Sequence, residues 1–363
     1  MNTDEKKKKI KTLCNYADIL SKKFTIVFIT SHKEKTKNVS DYNAFSVKSE
    51  FYSNDLQNMI VNAFQSCGFV VREFFNEEDF IAYALKESSQ ELANIIVINS
   101  AQKGTHIGRK SLIPAFCDLY KIHYIGSNPY IVSLCRDKYR CGNILEQNKI
   151  KTPKAWIYSP SDGWLNGKPD SSIGQLIIKP NYESSSIGVN RDCIDYYNDS
   201  LERKIQEYSK IFNQDIIIEQ FISGYEVETP VICTNSPFVL FPVGIKQGGK
   251  EIIGDYILDY VTRAENYYSL YSFEEYDKTL SEKLMKTAIK AVSLLNIHGF
   301  GRVDFRISTD GEFYVTDVST NPHYTQKSSF FFAFSKLGFQ YDDMIKCLIA
   351  SAYERIILCY QKS

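Results

Sequence analysis

The chain has 363 residues, enough for two or three domains with their own cores. With 44% hydrophobic and 24% charged residues its composition is that of a soluble globular protein. Lys plus Arg and Asp plus Glu are both 43, and zero net charge removes the electrostatic case for nucleic acid or an anionic membrane as main partner. No apolar run approaches the ~18 residues of a membrane span, and no signal-like apolar stretch stands near the start. Nine cysteines without a CxxC pair predict reduced thiols in a cytosol, packed as small hydrophobes.

In chain order, KKKKIK (6–11) reads as a solvated helix start or a frayed tail. TIVFIT (25–30) is β-rich, and the segment around NDLQNMIVNAFQSCGF has helix-period apolar positions at Leu56, Ile60, Ala63 and Phe64, stopped by Gly68. FVVREF, DFIAYALKE, IIVI, SLIPAFCDLY and HYIGS continue the alternation of strand and helix to about residue 127. That alternation predicts an open, mostly parallel sheet. Near residue 130 the pattern changes. DKYRCGNILEQNKIKTP reads as a helix ended before Pro153, followed by strands at AWIY (155–158) and QLIIKP (175–180). LERKIQEYSKIF is helical, DIIIEQFI (215–222) is a buried strand, and EVETPVICT and FVLFPVGI read as antiparallel strands. Residues 251–271 are tyrosine-rich and weakly periodic, which predicts a long functional loop. Ser272 and Glu275 can form a capping box for a helix carrying Leu284, Ala288, Val292 and Leu295 on one face.

The segment GRVDFRISTDGEFYVTDVSTNP (301–322) is the most informative. Asp310-Gly311 is a two-residue hairpin signal, and counting outward from it sets Asp304 opposite Asp317 and Arg302 opposite Ser319. Opposed residues share a face of the sheet, and opposed like charges destabilise it, so the two aspartates require a counter-ion. Arg302 in an Asp–Arg–Asp cluster can be that ion; so can a divalent metal such as Mg²⁺, which takes one or two carboxylates plus phosphate oxygens.

The stretch LIIKPNYESSSIGVN (176–190) ends a core strand in Lys179 and follows it with three serines and a glycine. Neither the P-loop nor the dinucleotide fingerprint is present. A small-residue loop beside a lysine can wrap phosphate oxygens; taken alone it can equally be a surface turn. Glu219 closes another buried strand and Glu226 follows a Ser-Gly turn, where each is either a ribose acceptor or a solvated strand end.

The order DK (137–138), IKPNYESSSIG (178–188), EQFISGYE (219–226), GRVDF (301–305) and TDVSTNP (316–322) resembles the ATP-grasp enzymes, in their D-alanine–D-alanine ligase branch. The resemblance implies an α/β (α+β) fold of three parts: an N-terminal open parallel-sheet domain at 1–129, a small lid subdomain at 130–222, and an antiparallel-sheet catalytic subdomain at 223–363. It implies ATP and Mg²⁺, with Mn²⁺ as a substitute. Lys138 and Lys179 match the lysines on the ATP phosphates, Glu219 and Ile222 the adenine hinge, and Glu226 the ribose acid. Ser184, Ser185 and Ser186 match the loop that covers the phosphates, with Ser185 and Tyr260 among the catalytic positions. Arg302 matches the arginine that stabilises the acyl-phosphate and tetrahedral states. Asp304, Asp317 and Ser319 fall on the metal positions, and His323, Ser328 and Arg109 on or near the substrate positions.

The resemblance implies a cytoplasmic carboxylate–amine ligase for small molecules, a homodimer, working through an acyl phosphate. A peptidoglycan D-alanine–D-alanine ligase is the narrower alternative, and a degenerate nucleotide-binding regulatory protein is the alternative from another class. Four departures bear on substrate. The family's metal-binding Glu-x-Asn is Asp317-Val318-Ser319, its Pro-Gly is Pro322-His323, and its lysine before Tyr260 is Asp259. The glutamate-containing N-terminal substrate loop has no clear counterpart, while QKGTHIGRKS brings Lys103, His106, Arg109 and Lys110 to a segment that is commonly acidic. Those cations belong either to an exposed loop or to a site for an acidic group on a substrate. His323 is either a bulky filler or an acid or base.

Overall fold

A computed structural model describes residues 1–42, 45–258 and 268–353. Strands β1 (Thr25–Thr30), β2 (Val70–Phe74), β3 (Ile95–Ser100) and β4 (His123–Tyr124) form a parallel sheet in the order β2-β1-β3-β4. β1 and β3 are central and covered on both faces, so they read as continuous apolar runs without alternation. Helices Asn54–Ser66, Glu77–Ala84 and Leu112–Tyr120 carry the chain between the strands. Ser53 caps the first of these by accepting from the Leu56 amide. The carboxyl ends of β1 and β3 face the rest of the molecule, which is where open α/β sheets receive ligands.

The second sheet is antiparallel, in the order β6-β5-β9-β7-β8: β5 (Ala155–Ser159), β6 (Gly163–Trp164), β7 (Gln175–Pro180), β8 (Ile194–Tyr196) and β9 (Ile216–Gln220). Helix Asp199–Phe212 covers it with Leu201, Ile205, Tyr208 and Phe212, one face at helical spacing. Each such side chain contributes roughly 1.5–3 kcal/mol by leaving water. The central place of β7 and β9 brings Lys179 and Glu219 to one end of this layer.

The third sheet contains β10 (Tyr225–Cys233), β11 (Phe238–Val239), β12 (Val243–Gln247), β13 (Tyr268–Ser272), β14 (Gly299–Ile307) and β15 (Phe313–Ser319), in the path β13-β12-β10-β14-β15 with β11 on β10. Helix Lys278–Leu294 packs Leu284, Ala288 and Val292 against it. Two sequence expectations are corrected. The tyrosine-rich segment ends in an edge strand, because β13 pairs with β12 from Val243–Ser272 to Gln247–Tyr268. Ser272 caps only the short helix Phe273–Tyr276; Asp277 leaves helical geometry and caps the long helix itself, accepting from Leu280.

The last helices, Ser329–Lys336 and Tyr341–Ala350, return to the first, Thr3–Leu20, so that Ile10, Phe64, Phe334 and Met344 share one core. The lysine run is therefore neither frayed nor wholly solvated: Lys6 is buried and its ammonium donates to the Leu240 carbonyl at 2.5 Å. No helix among the described residues is long and apolar enough to cross a membrane.

Candidate active site

The three sheets meet around one cavity whose walls include Lys138, Lys179, Glu226, Arg302, Asp304 and Asp317. Lys179 stands near the end of β7, and its ammonium donates to the Glu219 carboxylate of the adjacent β9 at 2.6 Å. Lys138 is the first residue of helix Lys138–Gln147, whose cap Asp137 accepts from the Arg140 amide. Asn181 joins that helix to the end of β7: its side chain accepts from the Tyr139 amide and donates to Asp137. Lys138 donates to the Glu183 carbonyl at the root of the serine loop. Burial is the main reason its pKa lies below that of a free lysine.

The serine loop is held from below. Glu183 is buried and accepts from Arg109 Nη2 at 2.7 Å, Arg109 Nη1 at 3.1 Å, the Tyr42 hydroxyl at 2.7 Å and Gln214 Nε2 at 3.1 Å. Ser184 donates to Glu50 Oε1 at 2.7 Å, and Ser186 donates to the Leu258 carbonyl. Ser185 and Ser186 both have positive φ, 52° and 59°, a conformation that side-chain-bearing residues adopt at a cost. Gly188 follows at φ 77°, where a Cβ would meet Phe212 and Pro180 atoms at 2.6 Å. The loop can turn there only with glycine.

The hairpin delivers the acids by two compensating irregularities. Its loop is three residues rather than two: the Ser308 amide donates to the Glu312 carbonyl, and Gly311 closes the turn at φ 87°. Pairing therefore begins one residue off the expected register, with Ile307 opposite Phe313. A bulge between Asp304 and Phe305 absorbs Thr316, and beyond it Asp304 faces Asp317 and Arg302 faces Ser319.

Across β14 on its other side, Glu228 of β10 stands opposite Asp304, so three carboxylates form a row. Arg302 offsets them. Its Nε and Nη2 hold Asp304 at 2.7 and 2.6 Å, and its Nη1 lies 3.1 Å from Glu228. Burial, with Glu228 and Asp317 nearby, still pushes the Asp304 carboxyl up to about 7 despite Arg302. Among the described residues no group of three or more His, Cys, Asp or Glu side chains is disposed to hold a metal. The donor set is instead two opposed carboxylates and a hydroxyl on the cavity wall, which fits a Mg²⁺ ion that completes its shell with phosphate oxygens.

The remaining expected residues are placed as follows. Glu226 and Ile222 line the cavity near Arg306, which donates to the Ile222 carbonyl at 2.8 Å and lies 3.3 Å from Glu226. Arg306 also donates to the Gly254 and Tyr256 carbonyls, tying them to Ile222; its place two residues beyond Asp304 on the same strand face was the available signal. Ser319 and His323 line the cavity. Ser328 caps helix Ser329–Lys336, accepting from Phe331, and does not line the cavity. Arg109 does not line it either, because its guanidinium is spent on Glu183 and the Gly104 carbonyl. Tyr260 and Asp259 lie outside the described residues.

Sequence reasoning missed Glu50, which lines the cavity beside Lys110 and Ser184. Although burial opposes its charge, Lys110, Arg136 and Arg109 hold its carboxyl well below the usual range. Nothing local in VKSEF marks it, since its partners lie 60 and 134 residues away.

A cavity between a five-stranded antiparallel sheet and a carboxylate-bearing sheet, with lysines from two elements and a serine loop beside it, is the arrangement of an ATP-grasp fold. The family model for the D-ala D-ala ligase C-terminus matches residues 171–350. D-alanine–D-alanine ligase B of Clostridium perfringens is 27% identical over 251 residues, covering 69% of this chain and 78% of that one. The D-alanine–D-alanine ligase of Pseudothermotoga lettingae is 26% identical, covering 81% and 92%. Among solved structures, the Bacillus anthracis D-alanine–D-alanine ligase complexed with ATP superposes with a TM-score of 0.69 at 20% identity, covering 92% of this chain and 98% of that one. The Coxiella burnetii enzyme gives 0.63 at 15% identity, covering 94% and 100%. Residues 171–350 thus belong to the D-ala D-ala ligase C-terminal family, and the chain as a whole shares the fold of the D-alanine–D-alanine ligases.

Proposed function

We propose that this protein is an ATP- and Mg²⁺-dependent carboxylate–amine ligase joining two small amino-acid-like substrates. The observation that carries the reading is the convergence of Lys138, Lys179, Arg302, Asp304 and Asp317 on one cavity under the serine loop. A substrate carboxylate attacks the terminal phosphate to give an acyl phosphate and ADP; an amine then attacks the acyl carbon and expels phosphate, leaving the amide. No covalent enzyme nucleophile is required.

In this reading Lys138 and Lys179 neutralise phosphate oxygens, and Ser184, Ser185 and Ser186 enclose them. Glu219, Ile222 and Glu226 receive the nucleoside. Arg302 stabilises the oxyanion that develops at the acyl carbon. Asp304 and Asp317, with Ser319, would hold the metal, which supplies charge neutralisation between the phosphates. Arg302 occupies one lone pair on each Asp304 oxygen, which leaves the others for a metal, and Glu228 is the guanidinium's second partner. Residues 1–129, 130–222 and 223–363 act as the N-terminal, lid and catalytic parts. The protein works as a cytosolic homodimer; the eight described cysteines, all free thiols, support a reducing compartment.

D-alanine as both substrates is the narrower reading, supported by the names of the relatives. His323 and Lys110 on the cavity wall speak for another pair. ADP release with Mg²⁺ and ATP across paired L- and D-amino acids, with mass spectrometry of the products, decides it. Pair-dependent ADP and a new amide support the ligase. ATP binding without ADP from any pair would favour a nucleotide-binding protein that has lost catalysis.

A further inference from the structure

Behind the serine loop lies a charge cluster that does not balance. Arg109, Arg136, Glu50 and Glu183 are buried, and the Lys110 side chain is only 16% exposed. Two carboxylates thus face three cations in a space with little water. Arg109 is paired with Glu183, and Lys110 lies 3.5 Å from Glu50. Arg136 comes no closer than 3.8 Å to Glu183, and its Nε and Nη2 have no hydrogen-bond partner. Tyr42 does not supply the missing charge, because burial and the neighbouring Glu183 push its hydroxyl upward and keep it neutral. An unbalanced buried cation is costly unless a counter-charge arrives.

Of the three cations, Lys110 is the one that lines the cavity, so a counter-charge bound there can reach the cluster through it. A second observation marks the same wall. Gln102 is 4% exposed, it lines the cavity, and its Oε1 has no hydrogen-bond partner. A buried carboxamide oxygen left unpaired costs stability until a donor reaches it. The same cavity therefore offers a cation and an unfilled acceptor, from positions 110 and 102 of one segment. Glu50 links Lys110 to the serine loop through Ser184.

We propose that the acyl donor is a dicarboxylic amino acid whose second carboxylate pairs with Lys110 while its ammonium donates to Gln102. This rests on the ligase reading above and narrows it to a substrate class. Alanine would leave the cluster's surplus positive charge without a second carboxylate, and would therefore be a poor donor.

The test uses the full chain with Mg²⁺, ATP and hydroxylamine, which traps an acyl phosphate as a hydroxamate whatever the natural amine. Aspartate, glutamate, asparagine, glutamine and alanine are compared, each in both enantiomers. The dicarboxylic donor should exceed its amide and alanine in kcat/KM by about tenfold to a hundredfold. Lys110→Met should erase that preference and Lys110→Arg should largely keep it, with circular dichroism melts confirming that both variants fold. Calorimetry with a non-hydrolysable ATP analogue gives a second readout, in which Lys110→Met lowers dicarboxylate affinity by a similar factor. Equal hydroxamate from alanine, or a preference that survives Lys110→Met, overturns the subsite and leaves the ligase standing. Dicarboxylate binding that Lys110→Met abolishes supports the subsite, even if no donor yields hydroxamate; that last result would count against the ligase alone.

Discussion

Arg109 and Glu183, 74 residues apart in sequence, form a two-pronged buried ion pair with N–O distances of 2.7 and 3.1 Å. It ties the segment after β3 to the root of the serine loop. The side chains are 2% and 1% exposed, so neither partner can turn to water if the other is removed. Arg109→Met should therefore lose about 3–5 kcal/mol in urea unfolding, the usual result of stranding a buried charge. The KM for ATP should rise with it, because the loop over the phosphates loses its anchor. Arg109→Met with Glu183→Leu should recover part of the stability but not the KM. A single variant within 1 kcal/mol of wild type would show that the pair holds nothing.

The placement of Arg109 also shows where sequence reading stops. The basic segment 103–110 was legible as unusual, yet only the fold divides its cations, sending Arg109 into the loop anchor and Lys110 to the cavity. The parallel or antiparallel character of the sheets and the opposed aspartates are legible in the sequence, because strand–helix alternation and the period of two are local properties, whereas strand order is not. Counting from a two-residue turn gives the Asp304–Asp317 pairing although the loop has three residues, because the bulge at Thr316 restores the register. A bulge leaves no reliable local mark in a sequence. Glu50 and Glu228 were missed for a different reason. Each acts through a neighbour supplied by another strand or loop, and no spacing along the chain encodes that.

Lys110 predicts a pH dependence. Burial lowers its pKa to about 8, with Arg136 and Arg109 adding to the effect and Glu50 opposing it. In the unfolded chain a lysine titrates near 10.4. Between those values the unfolded state binds the extra proton, so stability should rise with pH, by at most about 1.4 kcal/mol per unit. Below about pH 8 both states are protonated and this contribution is flat. Urea midpoints from pH 7.5 to 10 for wild type and Lys110→Met provide the check; an equal slope in the variant would remove Lys110 as the cause.

Ser185 should separate stability from turnover. Its φ of 52° is strained for serine and natural for glycine. Ser185→Gly should leave thermal stability unchanged or higher by up to about 1 kcal/mol, because relief of the strained φ competes with the greater freedom glycine gives the unfolded chain. ADP formation should nevertheless fall at least tenfold, since the hydroxyl over the phosphates is gone. A variant that loses both stability and activity would mean the serine serves the fold.

Asp304 gives the sharpest separation of fold from chemistry. It faces Asp317 on one side and Glu228 on the other, and Arg302 binds Asp304 and Glu228 together. Its carboxyl is pushed up to about 7, chiefly by burial, against near 3.9 in an unfolded chain. Between those values the folded state binds the extra proton, so this residue lowers stability as pH rises from 4 to 7. Asp304→Asn keeps an acceptor for Arg302 and removes the facing like charge, so stability at pH 7.5 should stay within about 1 kcal/mol of wild type or exceed it. The fall in stability from pH 4 to 7 should become shallower. Turnover should drop by two orders of magnitude or more, because a neutral amide is a poor partner for Mg²⁺. Stability, its pH slope and ADP release can be measured on one preparation. Full activity in Asp304→Asn would remove the hairpin from the metal site, and a large loss of stability would make Asp304 a partner that Arg302 needs for the fold.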